Sequence, residues 1–197
     1  MAKKMAKVNE FKSVHVTFTL RKQDCPSVSL NNVQIPASNT AKYLGLYLDR
    51  KLNWKHHIFT KRKALGLQLS KVIFLLKRKS PLTIENKLLI YTNIIKPMWS
   101  YGLQLWGTAS NCNLEIIQRF QSKTLRMIAN APRYMTNQQI HRDLKVPFVK
   151  DEVKVTAMKY YNRMMCHPNE LASGLMSSSS RFSRLRRKAP LDLCNEI

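Results

Sequence analysis

From Trp54 to about Met165 the apolar residues return at every third or fourth position, and that period leaves few folds open to the chain. Trp54, Ile58, Leu65, Leu69, Val72 and Leu76 make one stripe. Ile84, Leu88, Tyr91 and Ile95 make the next, which Pro97 is expected to interrupt. A third helix is expected from Asn113, with Leu114, Ile117, Gln121, Leu125 and Ile128 on one side. Thr136-x-x-Gln139 reads as a capping box for a short helix. A longer helix is expected from about Val149 to Met165, ended by His167-Pro168-Asn169. Ser80-Pro81 offers a cap and a first-turn proline for the second stripe. A bundle of helices satisfies this pattern; a sheet does not.

The segment before Trp54 has the other period. Val14 to Leu20 (VHVTFTL) alternates apolar with polar residues, as a half-buried strand does. Val28 to Ile35 (VSLNNVQI) reads as two short strands around a turn at Asn31-Asn32. Tyr43 to Leu48 (YLGLYL) reads as a further strand, with Gly45 marking a bulge or a close backbone approach. Such a unit is too small to be stable alone and should pack on helices. The expected fold is therefore α+β and predominantly α-helical. Residues 1–50 form a small antiparallel β unit, residues 51–172 a helical bundle, and residues 173–197 a basic, serine-rich, flexible tail.

Charge narrows the function. The chain carries 34 lysines and arginines against 11 acids, a formal net charge of +23. An excess of that size repels itself within a compact fold, and polyanions relieve it; phosphate backbones are the usual ones. Anionic membranes and other acidic partners are the weaker alternatives. No carboxylate lies between Asp49 and Glu85, so the helix carrying Lys55, Lys61, Arg62, Lys63 and Lys71 should project a positive face. The competing reading is a solvated helix face that only keeps the chain soluble. Contacts of such lysines with phosphate would position a duplex without reading its sequence. A second basic run, Arg181, Arg184, Arg186, Arg187 and Lys188, follows four consecutive serines. It suits a nucleic-acid arm, a nuclear-localisation patch or a solvated tail alike.

Other chemistry fits poorly. The acids are scattered, and the one adjacent pair, Asp151-Glu152, lies in a helical stretch where neighbours point apart. A two-metal site for nucleotidyl transfer needs clustered carboxylates. Cys25, Cys112, Cys166 and Cys194 have no C-x-x-C spacing, so reduced structural thiols in an intracellular protein are expected, rather than a zinc site. The phosphate-loop, nucleophile-elbow and zinc-protease motifs are absent from the sequence. Tyr91, Trp99, Tyr101 and Trp106 could stack unpaired bases, but their spacing among leucines favours a place in the core. The most apolar stretch, Leu88 to Trp106, is broken by Lys96, Pro97 and Gln104, so no membrane span is expected.

Four segments taken in order carry a resemblance: KVNEFKSVHVTFTL, AKYLGLYLDRKLNWKHHI, NKLLIYTNIIKPMWSYGLQLWGTASN and IIQRFQSKTLRMIANAPRYMTNQQIHRDLKVP. Together they resemble the C-terminal part of jockey-type non-LTR (LINE) retrotransposon reverse transcriptases, from about Lys7 to Pro168. The resemblance implies the end of the polymerase palm, then a hairpin that supports the primer end, then the thumb. It implies primer-grip roles for Tyr43, Leu44 and Gly45, next to the nucleic-acid-binding candidate Lys42, and a duplex-facing thumb from Trp54 onward. The catalytic aspartates of that family, in a motif such as F-A-D-D, would lie upstream, so no catalytic residue carries over. The family uses Mg²⁺; no cofactor site is expected in this chain. RNA–DNA hybrid or single strands are the expected partners, bound without marked sequence preference. A thumb without its palm should also expose apolar surface, which implies self-association. Two alternatives remain: a remnant serving at most as an interaction protein, and a part that completes a polymerase with a separate fingers–palm piece. A nuclear location accords with either.

Overall fold

The structure is a computed structural model and describes residues 9–21, 25–177 and 190–193. The chain divides into two compact units between Asn53 and Trp54. Its α+β, mainly helical character agrees with the alternation of periods in the sequence.

The first unit holds two antiparallel hairpins. Strand β1 (Val28–Leu30) pairs with β2 (Val33–Ile35), and β3 (Thr40–Tyr43) with β4 (Leu46–Asp49). The turn at Asn31-Asn32 lies where expected, with φ of 50° and 64°. Asparagine tolerates the left-handed region, and two such residues in a two-residue loop match the twist of the strands they join. Tyr43 to Leu48 is not one strand. Leu44 and Gly45 have φ of 45° and 78° and form the same kind of tight loop, so the run folds back on itself. That is the hairpin the resemblance implied and the alternation of apolar residues concealed.

Val14 to Leu20 also departs from expectation. Among the described residues it makes only an isolated bridge, His15 to Ala37. The Thr19 N–H donates to the Arg50 carbonyl at 3.1 Å. Alternation decides which face a strand would bury, but only a partner along its whole length makes it a strand. Val14, Phe18 and Leu20 accordingly remain about half exposed.

The second unit is helical. Helix α1 spans Lys55–Leu76, α2 Ile84–Ile90, α3 Lys96–Ser100, α4 Leu103–Trp106, α5 Asn111–Ile128, α6 Asn137–Asp143, α7 Val149–Met165 and α8 Glu170–Ser177. Helices α1 and α5 pack together, and α7 packs on α4 and α5. Their shared core contains Ile58, Leu65, Leu76, Ile117 and Leu125, with Tyr91, Trp99 and Trp106 fully buried. The aromatic cluster is therefore core, as its spacing indicated, except for Tyr101, which is exposed.

Several local readings change. The second stripe is capped by Thr83, whose side chain accepts from the Asn86 N–H, and not by Ser80; the Ser80 hydroxyl instead closes a turn by accepting from the Leu82 N–H. Pro97 does not interrupt the stripe. Tyr91–Ile95 winds as one π turn, in which the Lys96 N–H reaches the Tyr91 carbonyl. This wider turn makes room for a ring that would otherwise strike the preceding turn. Helix α5 begins at Asn111, earlier than Asn113. Thr136 caps α6 by accepting from the Gln139 N–H at 3.2 Å. The stretch from Ser173 is not uniformly a tail. Helix α8 continues to Ser177, and a 3₁₀ turn at Pro190–Leu193 packs against α7 with Leu193 buried.

Two contacts fix the second unit where α1 begins and where α4 meets α7. Trp54 precedes α1 with a left-handed backbone, and its indole N–H donates to the Thr108 hydroxyl at 3.0 Å. At Gly107 an added Cβ would lie 2.5 Å from the Leu103 carbonyl oxygen and 2.8 Å from a Val153 methyl. Only glycine lets α4 approach α7 this closely.

Candidate nucleic-acid interface

Helix α1 forms because its inner positions share one stripe, and the same geometry decides what its outer face presents. Ile58, Leu65, Val72 and Leu76 turn inward. The opposite face reads Lys55, Phe59, Lys63, Leu67, Lys71 and Phe74, all exposed, spaced by one helical turn each. Phe59 is 46% exposed, Leu67 69% and Phe74 67%, so these are bare apolar groups between cations. With no acid anywhere in the helix, nothing on α1 itself neutralises the row. Such a surface offers charge to phosphates and flat or branched apolar groups to sugars and bases.

The basic triplet does not act as one patch. Lys63 is exposed, but Lys61 and Arg62 are drawn to the protein. The Lys61 ammonium sits 5.4 Å from the centre of the Tyr101 ring, and burial lowers its pKa from the ordinary lysine value. The Arg62 guanidinium lies 4.7 Å over the Phe120 ring on α5. Cation–π contacts of this kind hold the two side chains in fixed positions. Of these three candidates, Lys61 and Arg62 are thus half-buried against aromatic rings, and Lys63 is exposed on the outer row.

His57 does not add to the field near neutrality. It is buried between Trp54 and Trp106, with ring centroids 6.0 and 6.1 Å away. Burial first, then the nearby charges of Lys61 and His56, push its pKa down to about 4.

In the first unit the β3–β4 hairpin displays the other expected site residues. Tyr43 and Leu44 are 64% and 69% exposed at its tip. Lys42 is exposed, and its ammonium lies 5.7 Å over the ring of Tyr47, its cross-strand partner. Gly45 completes the turn, where a positive φ suits a residue without Cβ. At the base of the hairpin the buried Asp49 carboxylate accepts from the Asn53 N–H at 3.1 Å. Arg181, Arg184, Arg186, Arg187 and Lys188 lie outside the described residues.

Among the described residues, no three histidine, cysteine, aspartate or glutamate side chains gather as metal ligands would. Cys25, Cys112 and Cys166 are free and exposed. Among the described residues no helix is long and apolar enough to cross a membrane.

Phe59, Leu67 and Phe74 break the simple division of helix positions into apolar-in and charged-out. The available signal was their place on the lysine face of the helical wheel.

Nearly the whole chain is similar to one part of known polymerases. It is 39% identical over 186 residues to a protein named probable RNA-directed DNA polymerase from transposon X-element, of Drosophila melanogaster, covering 94% of the chain. It is 37% identical over 185 residues, 92% of the chain, to the RNA-directed DNA polymerase from mobile element jockey of Drosophila funebris. The jockey enzyme of Drosophila melanogaster is 39% identical over 199 residues, 97% of the chain. The chain spans 20% of the length of each of the first two relatives and 22% of the third. No family model matches, and no solved structure matches.

Proposed function

We propose, from the premise that this chain belongs to the jockey-type RNA-directed DNA polymerases as one segment of them, that it binds primer–template nucleic acid without marked sequence preference. The observation that carries this reading is the outer row of α1, where Lys55, Lys63 and Lys71 alternate with Phe59, Leu67 and Phe74. Lysines at that spacing can follow phosphates, and the intervening side chains can cover the sugar edge of a duplex. The exposed tip of the β3–β4 hairpin is the second contact, with Tyr43 and Leu44 touching the primer strand and Lys42 a phosphate.

Catalysis is assigned elsewhere. Mg²⁺ chemistry of the parent kind requires paired carboxylates, and the acids described here are dispersed. The purified chain should therefore incorporate no deoxynucleotide alone. Labelled RNA–DNA hybrid titrated into the chain at low ionic strength tests the reading: binding that weakens steeply with salt is expected. Failure of both hybrid and single strands to bind folded protein, or polymerisation by the chain alone, would overturn it.

A second reading rests on the exposed apolar side chains of Ile84 and Leu89 on α2 and of Phe59, Leu67 and Phe74 on α1. In that reading the chain completes a polymerase by packing on a separate fingers–palm polypeptide, and it self-associates when that partner is missing. Concentration-dependent sedimentation of the isolated chain, abolished by a fingers–palm piece, is the result it predicts.

A further inference from the structure

A groove of about 740 Å³ opens between α5 and the start of α7, and none of the candidate nucleic-acid-binding residues named above lines it. Arg119, Lys123 and Arg126 follow one another along α5 on its rim, and Lys150 faces them from α7. Arg119 and Arg126 are seven residues apart, a rise of roughly 10 Å, enough to follow more than one phosphate of a strand. Glu115 and Asp151 also line the groove, and Glu115 lies 3.6 Å from Lys150. Four cations against two acids leave the groove positive. Phe120, which carries the Arg62 contact with α1, is not among its lining residues, so this is a different face of α5.

The floor is apolar and held in place. Leu114, Phe148 and Val149 form it. The Phe148 ring stacks on His141, with centroids 3.9 Å apart and planes 14° apart. His141 is itself fixed: Nδ1–H donates to the Val146 carbonyl at 2.8 Å, and Nε2 accepts from the Gln118 amide at 3.3 Å. The Gln118 carbonyl oxygen accepts the Val149 N–H at 2.7 Å, which ties the first turn of α7 to α5. Arg126 is held by the Pro132 and Met135 carbonyls and by Asn137 Oδ1, at 2.8–2.9 Å. The groove thus has an anchored aromatic ring at its floor and a row of cations at its edge, an arrangement that accepts a flat base beside an anionic backbone.

We propose that this groove holds a single-stranded nucleic acid, with its phosphates along Arg119, Lys123 and Arg126 and a base against Phe148. The groove is separate from the α1 face, and its test does not depend on that face. A fluorescein-labelled oligothymidine strand is titrated into the full chain, into Arg119→Glu/Lys123→Glu, and into Lys63→Glu/Lys71→Glu. The two variants change the net charge equally, and all four side chains are exposed. The groove variant should lose about tenfold more affinity for the strand than the α1 variant. Phe148→Leu should weaken binding by about fivefold or more, while an abasic strand of the same length should not distinguish it from wild type. Equal losses in the two charge variants would mean that only net charge matters and would overturn the proposal. So would poly-glutamate displacing the strand as readily as unlabelled oligothymidine, which would make the groove an acidic-peptide site.

Discussion

The two units of this chain spend their apolar residues differently. The helical unit buries them: Ile58, Leu65, Leu76, Tyr91, Ile95, Trp99, Leu103 and Trp106 are all at or near zero exposure. In the hairpin unit Leu46 is the one apolar side chain buried among the described residues, while Val14, Phe18, Leu20, Val28 and Val33 stay partly exposed. Each fully buried large side chain contributes roughly 1.5–3 kcal/mol, so the difference in core decides which unit holds its own shape. The helical unit is a scaffold that can display a binding face. The hairpins present side chains whose positions rest mainly on tight turns.

The largest contrast comes from truncating one large apolar side chain in each unit. Trp99→Ala should cost about 3–5 kcal/mol in urea denaturation, through the cavity left in the core. Leu44→Ala, at the exposed hairpin tip, should change stability by less than about 0.5 kcal/mol. Comparable losses would mean the hairpin tip is packed against something.

Overpacking gives the next effect. Gly107→Ala places a methyl group against the Leu103 carbonyl and Val153, and should destabilise by about 1–3 kcal/mol. Wild-type stability would show that α4 can move away from α7 without cost.

Acidity should discriminate between the units. The pKa of folded His57 is about 4, below the ordinary value of 6.5, so the unfolded chain takes up its proton first as pH falls. The contribution of His57 is complete above pH 6.5 and is lost as pH falls toward 4. His141, also lowered by burial, acts in the same direction. The melting temperature of the helical unit should therefore drop by several degrees over that window, and His57→Gln should flatten the profile.

The smallest effect concerns polar atoms inside the core. The Tyr91 hydroxyl, Trp99 indole N–H and Gln121 carbonyl oxygen are buried without well-formed hydrogen bonds. Burial raises the Tyr91 pKa to about 12, so the hydroxyl stays protonated. Tyr91→Phe should shift stability by less than about 1 kcal/mol, in either direction. A larger loss would reveal an interaction that this hydroxyl makes.

The sequence revealed the helices because each has a stripe that only a 3.6-residue period explains; α7 runs from Val149 to Met165 as its pattern indicates. It was less informative wherever local chemistry competes with pattern. Leu44 looks like a strand residue, yet Gly45 beside it makes a turn possible. Pro97 looks like a helix breaker, yet a π turn accommodates it. For the candidate site, composition located the helix but not which of its cations face outward. Lys61, Arg62 and Lys63 are consecutive, and only the packing of Tyr101 and Phe120 shows which of them turn away from solvent. The α5–α7 groove depends on residues from distant parts of the chain, such as Arg119 and Phe148, and no local spacing announces it.

The outer row of α1 is proposed to hold nucleic acid by its phosphates. The most direct test is the salt dependence of RNA–DNA hybrid binding to the chain and to Lys63→Ala/Lys71→Ala. Each phosphate contact contributes about 0.9 to the slope of log affinity against log salt, so the variant should lose roughly two units of slope. An unchanged slope, with the variant folded and binding as tightly as wild type, would contradict the account.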